Sequence, residues 1–493
     1  MKNNEIQDRG QSPSKGTVPR IALILLGGLT AAVAIAYIMN FFAAPIGIGM
    51  ALAIGITVAA VPIIVFKPET GLFLIGFFLP FERIPTIELG GATVRINYLL
   101  ILLLLVVYIL TQLAQKKLKI PKDPIRFFIL LFLLLTFFSL PRSVNMTRSI
   151  EVFSFLILMG IAYLTITLVA QEGKKAVLLA VRGLLWGALV AAVFGLYQFF
   201  GDMVGLPISA TLLKFGYDKT TFGFARIQAF SQEPLYFSNY LFIPFFVALI
   251  LTIRGKISEV MNKNLAIVLI CLIAIELILA ISRGAYLGFM AGLVAFVIVE
   301  AKTIFKAKVI IPLVIAGTTI LIGSYIALAR SEPRAVDEFT SHLLVQDREV
   351  AESVVARVSA SKQAIELFKE NPYLGVGIGN FGPRTQGDPQ EVPEGGWVIV
   401  NNEYLEILAE IGVVGLLGFT LLIGAIFIRA IIAIKKSADS KLKAVLVGFT
   451  IAFFAILVQY ATFSTLYIFH VWFLIGMIGG VSNLILSIRN SKS

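Results

Sequence analysis

A chain of 493 residues with 58% hydrophobic and only 14% charged side chains is far from a soluble domain, in which about 25% would be charged; its mean hydropathy of +0.91 predicts a polytopic membrane protein. One cysteine and two histidines argue against a disulfide framework, a thiolate metal site or a histidine metal centre. The formal charge of +12 would suit a nucleic-acid binder, but the placement of the basic residues gives it another origin.

In chain order, apolar runs predict an all-α protein of about 14 membrane helices, each long enough or nearly so to cross a bilayer. They fall at about 21–40, 44–66, 71–82, 97–115, 126–141, 149–170, 176–200, 235–253, 265–281, 284–300, 309–329, 403–428, 445–464 and 466–488. Met1–Arg20 has no small-residue cleavage site, and the helix after it is too long for a signal core, so it is expected to be a cytosolic tail. The expected units are the tail at 1–20, membrane helices over 21–329 with an outer loop at about 201–234, a large extracytoplasmic loop at 330–402, and three helices with a short tail over 403–493.

Lysine and arginine fall in alternate connections, at Lys67, Lys116–Lys122, Lys174 and Lys175, Arg254–Lys263, Lys302–Lys308, and Arg429–Lys443. Cytoplasmic loops carry such an excess, so both termini are expected inside and 330–402 outside. That long segment holds seven Lys+Arg against eleven Asp+Glu. Topology thus accounts for the basic excess, and no nucleic-acid partner is expected.

The two outer segments, 201–234 and 330–402, are too long to be simple connectors. Within the second, ARVSASKQAIELFKENPYLGVGIGNF spaces Val358, Ile365 and Phe368 along one helical face, which predicts a lid helix lying on the membrane surface. Asn371 and Pro372 should end it, ahead of a turn rich in glycine (Gly375, Gly377, Gly379). With no preceding strand, that turn is not read as a nucleotide loop.

The run ENPYLGVGIGNF (Glu370–Phe381), followed by NNEYLEILAEIGVVGLLGF (Asn401–Phe419), resembles the signature of the O-antigen ligase and O-antigen polymerase superfamily. ARIQAFSQEPLYFSNYL (Ala225–Leu241), AISRGAYLGF (Ala280–Phe289) and the region Phe78–Leu100 fit the same pattern. The resemblance implies a helical membrane fold of the GT-C type and a bacterial inner-membrane glycosyltransferase acting on undecaprenyl-pyrophosphate-linked sugars, without cofactor or metal. It also implies a glycan acceptor, the lipid bilayer, and as further partners a chain-length regulator and a flippase. Ligases of the family carry a histidine where this chain has Asn401, and an amide cannot act as a general base. Polymerisation of O-antigen or exopolysaccharide repeat units is therefore the expectation, with ligation to a lipid A core as the alternative. A lipid-linked sugar transporter is a second alternative, although no paired halves are evident in the sequence.

Transfer from a lipid pyrophosphate needs a cationic cradle for the leaving group, a pocket orienting the acceptor hydroxyl, and a proton acceptor. Arginine suits the cradle because its fork grips two phosphate oxygens and stays charged. Arg283 and Arg226, both at predicted outer boundaries, are the candidates; for Arg283 the alternative is an interfacial snorkelling residue. Glu276 lies seven residues before Arg283, on nearly the same helical face, with Arg283 or another helix's cation as its expected partner; the pair could equally be structural. Proton acceptors are Glu403, Glu233 and His470, the last also readable as a core histidine. Asn401 and Asn402 would orient the acceptor sugar, and Tyr404, Glu233, Glu276 and His470 complete the expected substrate contacts.

Glu403, Glu406 and Glu410 share one face at a helix start. There the helix dipole stabilises each by about 0.3–1 kcal/mol. That is too little to offset about 2.5–3.5 kcal/mol for each charge if it faced lipid. They are expected to face a wet cavity.

Overall fold

The computed structural model describes residues 48–83, 86–89, 92–116, 123–214, 216–218, 225–304 and 348–490. The tail at 1–20 and the helices expected at 21–40 and 309–329 lie outside them. The described helices are α1 (Ile48–Phe66), α2 (Glu69–Phe78), α3 (Ile96–Ala114), α4 (Pro124–Ser139), α5 (Met146–Ala170), α6 (Lys174–Met203), α7 (Pro234–Ile253), α8 (Lys263–Leu279), α9 (Arg283–Ile304), α10 (Arg348–Glu370), α11 (Glu403–Lys436), α12 (Ser440–Gln459) and α13 (Phe469–Asn490). Among the described residues nine helices are long and apolar enough to cross a membrane. The remaining apolar helices are shorter or partial, such as α8 at 17 residues.

Helix starts follow local chemistry. Asp123 accepts from the Ile125 N–H ahead of Pro124 at the first position of α4, Asn145 caps α5 through the Arg148 N–H, and Asp439 caps α12 through Lys441 and Leu442. In the packed interior α2 lies directly on α6. A Cβ on Gly183 or Gly187 would come within 2.1 or 2.2 Å of the Phe73 or Phe77 carbonyl oxygen, so the pair depends on small residues at a four-residue spacing.

Cross-connections sort the loops into two ends. One end holds the pairs Lys174–Asp439 (2.7 Å), Lys175–Glu69 (3.1 Å), Arg254–Glu300 and Lys441–Glu259. It gathers the lysine-rich connections, as the alternation predicts. At the opposite end the Asn145 N–H donates to Asn380 Oδ1 (2.8 Å), Arg226 to the Ile281 carbonyl (2.9 Å), and Thr465 to Glu403.

Two expectations need correction. Thr86–Leu89 and Ala92–Arg95 form an antiparallel hairpin with Thr86 opposite Arg95, where no strand was expected; β-branched alternation around a Gly-Gly pair was the available signal. Helix α11 continues to Lys436 instead of ending near 428. The expected lid helix α10 is present, with Val358 and Ile365 48% and 40% exposed. Its buried face is Ala360 and Ala364, packed with Val400, Phe381 and Ala409, because small side chains allow α10 to approach α11 closely.

Candidate functional site

The two sequence runs around the glycine-rich turn and α11 form one structural unit. Inside α11, Gly412 adopts φ 74° and ψ −169°, a backbone region open essentially only to glycine. The helical hydrogen bonds broken there are replaced by the turn. Val376 and Gly377 N–H donate to the Ala409 and Glu410 carbonyls (3.0 and 2.9 Å), while Val413 N–H donates to the Pro372 carbonyl (2.9 Å). Glu410 completes the joint by accepting from the Gly379 and Phe381 N–H groups at 2.7 and 2.8 Å. A broken helix is tolerated at membrane depth only when its freed backbone groups are satisfied in this way.

A Cβ at position 412 would sit 2.2 Å from the Tyr373 carbonyl oxygen. Gly412→Ala is therefore expected to destabilise the protein by at least the ~1–3 kcal/mol of such backbone strain. Thermal unfolding of the detergent-solubilised protein measures this, and an unchanged midpoint would mean that the joint does not hold the fold.

The turn in turn docks on the α4–α5 connection. Asn380 is buried, accepts from Asn145 and donates to Ser149 Oγ (2.6 Å); Arg148 Nε donates to the Gly379 carbonyl (2.8 Å). Between turn and helix lies a small cleft lined by Glu403, Glu406, Glu410, Arg148, Tyr467 and neighbouring apolar residues. All three glutamates of the predicted stripe thus face one cleft. Glu403 is buried and accepts from the Thr465 N–H; Glu406 accepts from Val400 N–H at 2.9 Å.

Asn401 stands at the cleft's approach with a left-handed backbone (φ 57°), which asparagine tolerates. Asn402 Oδ1 caps α11 through the Leu405 N–H (3.1 Å), and the Tyr404 hydroxyl donates to the Leu457 carbonyl (2.6 Å). Arg148 was not singled out in the sequence. Its signal was position: an arginine on a connection expected outside runs against the inside bias of basic residues.

A second group is cationic. Arg226 lies 5.6 Å from the Tyr217 ring and feels the charge of Arg283; Arg357 of α10 feels both Arg283 and Glu233. Burial lowers the pKa of the Arg226 and Arg357 guanidiniums, and proximity to Arg283 lowers both further. Glu233 is 3.7 Å from Lys214. Burial and the Glu233 carboxylate push the Tyr217 hydroxyl up to about 12. The structure therefore brings together Arg226, Arg283 and Glu233 and adds Arg357. This group adjoins the acidic cleft through residues 461–467, because Gly284 packs on Thr462 while Glu403 bonds Thr465.

His470 and Glu276 stand apart from both groups. His470 is buried, with Nδ1 3.2 Å from Glu82 Oε1 and Nε2 2.7 Å from Asn239 Oδ1, the arrangement of a core histidine. Although burial raises the Glu82 pKa, its hydrogen bond to His470 and the charge of Arg95 outweigh this and hold the carboxyl below its usual range. Glu276 is buried against Gly195, and its oxygens have no hydrogen-bond partner among the described residues. The expected pairing with Arg283 does not form. Helix α8 ends at Leu279 and Ile281 takes a left-handed φ of 45°, so Glu276 and Arg283 do not share a helical face.

No curated protein matches the chain. Residues 266–420, roughly a third of the chain, match the family model described as O-antigen ligase. The matched segment contains Arg283, α10, the glycine-rich turn and the broken start of α11. Set among apolar, membrane-length helices, residues 266–420 thus carry an O-antigen ligase domain, which supports placing the chain with the O-antigen ligase and polymerase superfamily.

Proposed function

We propose that the protein polymerises lipid-linked oligosaccharide repeat units, of O-antigen or exopolysaccharide, by transfer from undecaprenyl pyrophosphate to a sugar hydroxyl at the outer face of the membrane. The observation that carries this reading is the separation of charge across residues 461–467, with Arg226 and Arg283 on one side and Glu403 on the other. The acceptor oxygen attacks the anomeric carbon as the bond to the pyrophosphate oxygen breaks. The leaving group takes the electron pair and is held by the guanidiniums. The hydroxyl proton passes to the Glu403 carboxylate, while Asn401 and Asn402 orient the acceptor. The donor is already activated by its pyrophosphate, so nucleotide and metal have no required part.

Ligation to a lipid A core is the alternative reading. Asn401 weighs against it: an amide in place of the ligase histidine offers no exchangeable basic site, although the left-handed backbone there is one that asparagine and histidine both tolerate. Purified protein in proteoliposomes with a lipid-linked repeat unit separates the readings. A ladder of longer glycans supports polymerisation, a single addition to lipid A core supports ligation, and movement across the bilayer without a new bond supports transport. A chain-length regulator and a flippase are the proposed partners.

Orientation is tested separately. A reporter fused near Glu370 should read outside the cytoplasm and one after Lys443 inside, as the basic connections require. The reverse pattern would place the proposed site on the wrong side of the membrane for an exported substrate.

A further inference from the structure

Helix α10 carries a charge that its packing does not explain. Arg357, Ala360 and Ala364 are spaced at i, i+3 and i+7, so they share one face, and the two alanines are buried against α11. Arg357 therefore points inward with them, half-buried, on a helix whose exposed side includes Val358, Lys362 and Ile365. Among the described residues its guanidinium has no hydrogen-bond or ion-pair partner, and neither does that of Arg283. Arg283 repels both Arg357 and Arg226. Among the described residues the carboxylate felt by Arg357 is Glu233, which also lies 3.7 Å from Lys214. The group is complementary to an anion.

We propose that Arg357 is a third arm of the pyrophosphate site, delivered by α10, and that it contacts the second phosphate and so selects a diphosphate over a monophosphate. The proposal rests on the reading of Arg226 and Arg283 as the leaving-group cradle. Charge counting supports it. Arg226, Arg283 and Arg357 bring three guanidinium charges to this end of the protein; a lipid pyrophosphate joined to a sugar carries two negative charges, and the departing pyrophosphate gains a third on full ionisation. A site of this charge favours the departing group over the bound donor, which is the condition for speeding the step.

The test is binding of undecaprenyl pyrophosphate and of undecaprenyl phosphate to the full chain in nanodiscs, with Arg357→Gln, Arg357→Lys and Lys362→Gln compared with wild type. Glutamine and lysine both suit a helix interior, so α10 is retained. Arg357→Gln should weaken pyrophosphate binding about tenfold or more, as loss of a charge-assisted contact predicts, while monophosphate binding changes little. Arg357→Lys should recover part of the loss, and Lys362→Gln should leave both affinities unchanged. Equal loss for the two lipids, or no loss, overturns the third-arm assignment. If Arg226→Gln and Arg283→Gln still weaken binding in that event, the cradle itself stands; if none of the three arginine variants weakens it, the cradle falls as well.

Discussion

Arg283→Ala is expected to lower the rate of glycan transfer by about one to three powers of ten, the effect of removing a preorganised donor worth about 2.7–4 kcal/mol to a transition state. Arg226→Ala should lower it similarly, but the two variants should differ in stability. Arg226 donates to the Ile281 carbonyl at 2.9 Å and so ties the outer segment before α7 to the α8–α9 turn. Its loss should also lower the thermal midpoint. The Arg283 guanidinium makes no hydrogen bond among the described residues, so its loss should leave the midpoint almost unchanged while turnover falls. Initial rates with a lipid-linked repeat unit, read beside thermal unfolding, measure both quantities. Wild-type glycan lengths and rates from two well-folded variants would move the cradle elsewhere.

Glu276 marks the limit of reading a membrane sequence by helical periodicity. Seven residues place it over Arg283 only if one helix runs through both, and nothing in AISRG announces that Ile281 takes a left-handed backbone. The stripe Glu403, Glu406 and Glu410 was legible because it lies within one uninterrupted turn sequence, and its cleft follows from the cost of burying three carboxylates. What the stripe could not reveal is that Glu410 clamps the glycine-rich turn through two backbone N–H groups. That contact joins segments about 30 residues apart, and a backbone donor has no sequence signature. For α10 the helix and its end were legible, but its inner face was not. Hydrophobicity marks Val358 and Ile365 as one apolar face, whereas close approach to α11 selects Ala360 and Ala364. The same rotation hid Arg357. Among the described membrane helices most were read within a few residues because their length is set by bilayer thickness, whereas α11 runs about eight residues past its expected end, to Lys436.

Glu403→Gln bears most directly on the chemistry. The substitution keeps the side chain's size, and the amide oxygen can still accept from the Thr465 N–H, so only the capacity to take a proton is removed. If Glu403 receives the acceptor's proton, the rate should fall by about 100-fold or more, within the usual range for general-base catalysis. Binding of the lipid-linked donor should be unchanged, so the loss should appear in kcat. Glu410→Gln provides the contrast. Both Glu410 oxygens accept backbone N–H groups, and an amide can supply only one acceptor there while its NH2 opposes the second donor. That variant should lose stability first and activity as a consequence. Should Glu403→Gln polymerise at close to the wild-type rate, the proton must leave late, toward the departing pyrophosphate or water. Glu403 would then be left with the role its contacts already describe, tying the start of α11 to residues 460–465 as Glu406 ties it to Val400.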